Sequence, residues 1–154
     1  PFYTSGYEGF YMASSVSGSV ENLVAKYIIR DHDMAKFEAK KSSFVSLAEK
    51  LNEKYGAGTC VADVTDSYYN MSEIIKNNFH LIDNAKLAME KAGVKPIVLP
   101  IRGGTDGATL SHRGLPCPNL STGGHNFHGR FEYIPVPSME KMVEVILNLV
   151  EIYR

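Results

Sequence analysis

The chain has 154 residues, of which 44% are apolar, and its formal net charge is -1 at pH 7. This size and composition allow one ordinary domain or two small ones with a hydrophobic core. The near-zero charge offers no basic surface for a nucleic acid or a membrane, so we expect neither as a partner. No apolar run approaches the roughly 20 residues of a membrane helix, and no secretory signal is visible, so we expect a cytoplasmic setting. The absence of an initiator Met before Pro1 suggests that the chain was cut from something longer.

The first part of the sequence predicts an antiparallel hairpin. Residues Glu8 to Ala13 read as one strand, and Leu23 to Arg30 read as another because they are rich in β-branched and aromatic side chains. The serine-rich stretch from Ser14 to Ser19 between them is typical of a turn.

A long helix is predicted after Asp33, whose carboxylate can accept a bond from a free amide of the first turn. Apolar residues recur at spacings of three, four and seven up to Tyr55, and Gly56 ends the pattern. Residues Thr59 to Val64, and then Ser67 to Tyr69, read as a further strand. The order β-β-α-β is one strand and one helix short of a β-α-β-β-α-β sandwich, so we expect an incomplete domain.

The second part of the sequence alternates helices with an apolar run, which predicts an α/β layer. Its apolar run, Ile97 to Ile101, has the character of a buried parallel strand. The boundary between the two parts is expected near Tyr69 to Ser72. Helices are predicted at His80–Ala92, near Ala108–His112, and from a cap at Ser138 to about Tyr153, with Met142, Val143, Ile146, Leu149 and Val150 facing inward.

A glycine-rich loop, Arg102 to Gly107, follows the predicted buried strand. Ligands of open α/β sheets sit beyond the carboxyl ends of strands, and an Arg grips a carboxylate with two parallel hydrogen bonds. The loop therefore indicates a carboxylate or phosphate site. Its glycine spacing matches no nucleotide-binding motif, and a plain turn with Arg102 paired to Asp106 explains the residues equally well.

Two histidines lie in a second glycine-flanked segment, which runs from Gly123 to Glu132. His125 and His128 are placed where imidazoles often bind zinc. Taken alone, the segment is explained as well by a solvated histidine, because a zinc site needs three or four ligands and no clustered Cys or H-E-x-x-H pattern is present.

Several segments together resemble the M20 family of zinc metallopeptidases and, within it, the aminotripeptidase branch known as peptidase T. The match spans nearly the whole chain in the same order. It is carried by Gly6–Tyr11, Tyr27–Asp31, Asp66–Met71, Arg102–Ala108, Leu110–Ser111, Gly114–Asn119, Gly123–Gly124 and His128–Gly129.

The resemblance implies a two-domain enzyme that removes the N-terminal residue from tripeptides with two zinc ions. Residues 1–71 would be an incomplete ferredoxin-like lid, which often forms homodimers, and residues 72–154 the C-terminal α/β segment of the catalytic domain. His128 would be a zinc ligand. Substrate would contact Arg30 of the lid, which would help bind the substrate's carboxylate end, and Arg102, Gly103, Gly104, Thr105, Asp106 and Asn126.

The family pattern also implies what this sequence lacks. The general-base glutamate, the bridging aspartate and most zinc ligands have no match here, so we expect the chain alone to hold no zinc tightly and to be inactive. Phe131 stands where the family commonly has His, while Glu132 is retained. Three other readings stay open: a structural or dimerisation module, an M20 dipeptidase or deacylase, and a small-molecule carboxylate or phosphate binder.

Overall fold

The computed structural model describes residues 3–154; residues 1 and 2, which belong to the predicted lid, lie outside the described residues. The chain forms two compact units. The first runs up to Asn70 and takes in Leu99–Gly103, and the second comprises Met71–Val98 and Gly104–Arg154. Assigning the first to a lid and the second to a catalytic domain stays a prediction. None of the described helices is long and apolar enough to cross a bilayer.

The first unit contains the predicted hairpin. Strand β1 (Phe10–Gly18) pairs antiparallel with β2 (Leu23–Arg30), with Phe10 opposite Arg30. The prediction of a turn from Ser14 onward is wrong, because a bulge after Ala13 absorbs one residue and β1 continues to Gly18. The tight turn lies further on, where the amide of Ser19 donates to the carbonyl of Asn22.

Helix α1 (Met34–Tyr55) follows the hairpin as predicted. The carboxylate of Asp33 accepts the Lys36 amide at 2.9 Å, and the Gly56 amide closes the far end on the Asn52 carbonyl. Phe44 fixes the helix to the hairpin, because its ring lies edge-on to that of Tyr27, with centroids 5.1 Å apart.

The strand predicted from Thr59 to Val64 is wrong. The Asn52 side chain holds this segment through both of its polar atoms, donating to the Cys60 carbonyl and accepting from the Cys60 amide, each at 2.8 Å. The backbone bonds that a sheet neighbour would supply are thus partly replaced by one amide side chain on α1. Val61 is 84% exposed, which shows that β-forming residues alone do not make a strand.

The second unit is organised by two helices, α3 (His80–Lys91) and α5 (Val136–Ile152). Ala88, Ala92 and Val145 form its buried centre, and the Asn148 side chain caps the contact by donating to the Ala88 carbonyl at 3.2 Å. Two short elements that the sequence did not predict, α2 (Ser72–Ile75) and a 3-10 turn (Lys76–Asn78), lead into α3.

The start of α5 differs from the prediction. The helix begins at Val136, two residues before the expected cap at Ser138, because Pro137 lies within the first turn, where its missing amide costs nothing. The predicted inward face is correct for Met142 and Leu149, which pack against the core. It is wrong for three residues that are at least half exposed: Val143, Ile146 and Val150.

The buried strand predicted from Ile97 to Ile101 is also wrong. The segment has no strand partner among the described residues, and Ile97, Val98 and Leu99 are each more than 60% exposed. Pro100 removes one backbone donor from within the segment and Pro96 removes another just before it, which weakens any ladder. The mixed α and β composition that the sequence predicts is confirmed, while the sheet found in residues 3–154 consists of one hairpin.

Candidate functional site

The first unit brings together three predicted substrate-binding residues, Arg30, Arg102 and Gly103. Arg30 is the last residue of β2, and its Nη1 donates to the Arg102 carbonyl at 3.0 Å. A Cβ added to Gly103 would lie 3.7 Å from the same nitrogen. The Arg30 guanidinium also lies over the ring of Tyr68, 5.4 Å from its centroid.

The guanidinium of Arg102 is turned toward the N-terminal loop of the first unit. Its Nη2 donates to the hydroxyl of Thr4 at 2.6 Å and to the carbonyl of Glu8 at 3.2 Å, and its Nη1 donates to the Thr4 carbonyl. The face of the guanidinium stacks on Phe10 at 5.1 Å. Arg102 therefore ties Leu99–Gly103 to residues far away in sequence.

In the second unit the rest of the glycine-rich loop leads into a short helix, α4 (Asp106–His112), close to the predicted helix. Thr105 precedes the helix, and its hydroxyl accepts from the Asn119 side chain at 3.2 Å. Asp106 is exposed in the first turn, where a carboxylate is favoured by the helix dipole. Gly104 is exposed just before them.

Gly107 is buried at the start of α4 because another segment crosses it closely. A Cβ at this position would lie 2.4 Å from the Cys117 carbonyl oxygen and 3.1 Å from Oδ1 of Asn119. Ser111, one turn later, holds the same segment by accepting the Cys117 amide at 2.9 Å. This glycine serves packing between two segments of the chain.

Replacing Gly107 with Ala is expected to lower the free energy of unfolding by about 1–3 kcal/mol. Alanine favours a helix by about 1 kcal/mol over glycine, so a net loss requires that the crowding against Cys117 outweigh that gain. Urea unfolding followed by circular dichroism measures the change in free energy of unfolding. Thr109→Ala, at an exposed position of α4, is the control and should not destabilise the chain. A Gly107→Ala variant as stable as the unaltered chain would contradict this packing.

The histidine loop of the second unit is closed by an isolated bridge between His125 and Tyr133. Their rings stack with centroids 5.0 Å apart. Inside the loop, Asn126 and His128 both have left-handed backbones, with φ of 56° and 63°. The Asn126 side chain donates to the Phe131 carbonyl at 3.2 Å, and the His128 amide donates to the Glu132 carboxylate at 2.9 Å.

His128 is exposed, and its imidazole makes no hydrogen bond within the described part of the chain. It is therefore suited to act as one ligand of a metal ion. Across residues 3–154, no three His, Cys, Asp or Glu side chains are grouped to hold a metal together. A zinc site uses three or four protein ligands, and a role for His128 as one of them stays a prediction.

The predicted site residues thus fall into separate groups. Arg30, Arg102 and Gly103 belong to the first unit, whereas Gly104, Thr105, Asp106, Asn126 and His128 belong to the second. Sequence reasoning assigned no role to Tyr68, although it lies within the Asp66–Met71 motif that carried the family resemblance. The signal that could have pointed to Tyr68 was a polar aromatic residue in a motif to which no other role had been given.

Comparison with solved structures shows that the chain shares its fold with part of two longer proteins. The chain superimposes on an aminopeptidase PepT from Bacillus cereus with a TM-score of 0.66 and 24% identity, covering 94% of this chain and 39% of that one. A tripeptidase from Staphylococcus aureus gives a TM-score of 0.68 at 22% identity, with the same coverage. No protein-family model matches the chain.

Sequence comparison gives the particular relatives, which are proteins named peptidase T. The chain is 56% identical to that of Alkaliphilus oremlandii over 153 residues, which is 99% of this chain and 37% of the relative. The peptidase T of Halothermothrix orenii is also 56% identical over 153 residues and is covered to 38%. The chain is therefore homologous to part of peptidase T, which confirms the resemblance, and it spans somewhat over a third of those relatives' length.

Proposed function

We propose that this chain is the C-terminal part of a zinc-dependent aminotripeptidase of the M20 family and is inactive by itself. The observation that carries the proposal is the 52–56% identity to several peptidase T proteins over 99% of the chain. The proposed reaction is hydrolysis of the first peptide bond of a tripeptide. A cytoplasmic setting, expected from the sequence, is part of the same proposal.

The histidine loop supports a role for His128 as one zinc ligand. Non-glycine residues rarely adopt left-handed backbones, and two of them lie here within three residues. A sparsely populated backbone of this kind is concentrated at functional sites, where surrounding bonds maintain it. Here the bonds from Asn126 to Phe131 and from His128 to Glu132 maintain it. When bound, zinc would polarise the scissile carbonyl and activate water.

The substrate residues proposed in the first unit have a different chemistry. Arg30 provides a half-buried cation whose planar N–H groups match a carboxylate. A peptide presents one such group at its C-terminus. We assign to Arg30 the binding of that carboxylate and to Arg102 and Gly103 further contacts with the substrate. In the second unit, substrate contacts are assigned separately to Gly104, Thr105, Asp106 and Asn126.

Homodimer formation through the first unit belongs to this proposal as well. A shallow, mainly apolar hollow between the hairpin and α1 supports it, because exposed apolar area of this kind marks protein interfaces. The hollow is lined by Tyr11, Tyr27, Ser43, Phe44, Leu47 and Lys50. Sedimentation should show dimers at high concentration, and a strict monomer would contradict this part.

The decisive experiment is a chimaera in which this chain replaces the matching 153 residues of the Alkaliphilus oremlandii peptidase T. We expect the chimaera to retain zinc after dialysis and to release the N-terminal residue of trialanine. The 154-residue chain alone should do neither. The proposal fails if the chimaera folds but does not cleave trialanine while the unaltered relative does. Tightly held zinc with turnover by the chain alone would contradict the claim that it is incomplete.

A further inference from the structure

Arg30 is held at two points and uses little of its hydrogen-bonding capacity. One of the five N–H donors of a guanidinium goes to the Arg102 carbonyl, at 3.0 Å. The flat face of the group lies on the Tyr68 ring, 5.4 Å from its centroid. Among the described residues Arg30 has no carboxylate partner, and its remaining N–H groups make no further hydrogen bond. They are thus left for a ligand.

Arg102 differs from Arg30 in that both of its terminal nitrogens are already bonded within the first unit, while its buried Nε has no partner among the described residues. It donates to both oxygens of Thr4 and to the Glu8 carbonyl, and it stacks on Phe10. These bonds fix the backbone of Arg102, and they therefore fix the carbonyl that receives Arg30. Arg102 therefore anchors the segment, while the guanidinium of Arg30 keeps donors for a ligand.

The segment that carries Tyr68 is held on both sides of this residue, because the side chains of Asp66 and Asn70 are bonded to other elements. The Asp66 carboxylate accepts from the Lys41 ammonium of α1 at 2.8 Å. The Asn70 side chain donates to the His32 carbonyl at 3.4 Å, just beyond the end of β2. The backbone that presents the Tyr68 ring to Arg30 is thus held from both sides.

We propose that Tyr68 is a positioning residue: its ring face and the Arg102 carbonyl together hold the Arg30 guanidinium so that its free N–H groups point toward a carboxylate ligand. The identity of that ligand, the C-terminal carboxylate of a short peptide, rests on the proposed function. The positioning itself does not. A cation on an aromatic face is attracted by the ring quadrupole, and fixing the group in advance lowers the entropy cost of binding.

The positioning is tested by nuclear magnetic resonance of the arginine Nε–Hε groups in the 154-residue chain, with the Arg30 signal assigned from its loss in Arg30→Lys. In Tyr68→Leu the Arg30 proton should move downfield, because ring shielding is removed, and should exchange faster with water. Tyr68→Phe keeps the ring and should resemble the unaltered chain. Should Tyr68→Leu fail to fold, Tyr68→Met replaces it. An Arg30 signal that is unchanged in the variant without a ring overturns the proposal.

The ligand is tested by titrating trialanine and trialanine amide into the same chains. Loss of the ring should weaken binding of the acid by about 2- to 30-fold, while Tyr68→Phe should bind as tightly as the unaltered chain. Equal binding of acid and amide would contradict carboxylate recognition. No binding by the unaltered chain would contradict the proposed role of Arg30 in substrate binding, and the resonance result would still decide the positioning. Equal acid affinity in Tyr68→Leu and the unaltered chain overturns the positioning.

Discussion

In the chimaera, replacing His128 with Ala should lower turnover of trialanine by about 100-fold or more and should reduce the retained zinc. Loss of a partner that merely orients a metal ligand costs 10- to 100-fold, so loss of a ligand should cost at least as much. Because Ala is strained at a φ of 63°, the same test is made with His128→Asn. Asn tolerates this backbone and removes only the imidazole.

The matched control for His128 is His125, three residues earlier in the same exposed loop. Its ring stacks on Tyr133 and has no role in the proposed zinc site. His125→Ala should leave both zinc content and turnover within about threefold of the unaltered chimaera, since only one aromatic contact is lost. A chimaera carrying His128→Asn that kept its zinc and its turnover would show that His128 is not a ligand.

Replacing Asp31 with Asn should lower the free energy of unfolding by about 2–4 kcal/mol at pH 7, because it leaves Lys40 without its partner. The Asp31 side chain is 3% exposed and accepts from the Lys40 ammonium at 2.7 Å. Its other oxygen accepts the Asp33 amide at 3.0 Å. Asn keeps the shape of the side chain and loses the charge.

This loss should depend on pH. Burial alone would raise the pKa of Asp31, but the hydrogen bonds from Lys40 and Asp33 and the charges of Lys40 and Lys36 outweigh it and lower the pKa below its ordinary value. A lowered pKa in the folded state gives stability that is fully present above the unfolded pKa of about 4 and is lost as pH falls through the folded pKa. The difference in free energy of unfolding between the unaltered chain and Asp31→Asn, called the gap below, should therefore be at its full size at pH 7. It should shrink below about pH 4.

Urea unfolding at a series of pH values between 7 and 2 measures this gap. Glu73→Gln is the control, because it breaks an ion pair with Lys76 in which both side chains are 66% exposed. Exposed pairs contribute about 0–1 kcal/mol, so this variant should stay close to the unaltered chain. A gap of the same size at acid and neutral pH would show that the charge of Asp31 does not stabilise the fold.

Local chemistry in the sequence was sufficient to predict the elements that are held by near neighbours. Helix α1 begins after Asp33 and ends before Gly56 because these residues cap their own helix. The hairpin follows from the run of β-forming residues up to Arg30, although the bulge that lengthens β1 leaves no comparable signal. Such features depend on residues a few positions apart, which a sequence displays directly.

Features that depend on contacts between residues far apart in the sequence could not be predicted from local patterns. The strand-like residues near Cys60 are held by Asn52 instead of a neighbouring strand, and nothing local distinguishes the two outcomes. In the site, the sequence singled out both arginines but could not say which of them has its terminal nitrogens already bonded within the chain. The partner of Arg102 is Thr4, 98 positions away, and only the folded chain brings them together.

The short segment Leu99–Gly103 has a practical consequence for anyone who wishes to study the two units apart. Because it belongs to the first unit, each unit is discontinuous in sequence. A single cut after Asn70 would separate Thr4 and Glu8 from the arginine that ties them, so the shorter product would keep its hairpin but lose that anchor. Dissection by limited proteolysis is therefore the wrong approach. An independent first unit has to be made by grafting residues 99–103 back onto it through a linker.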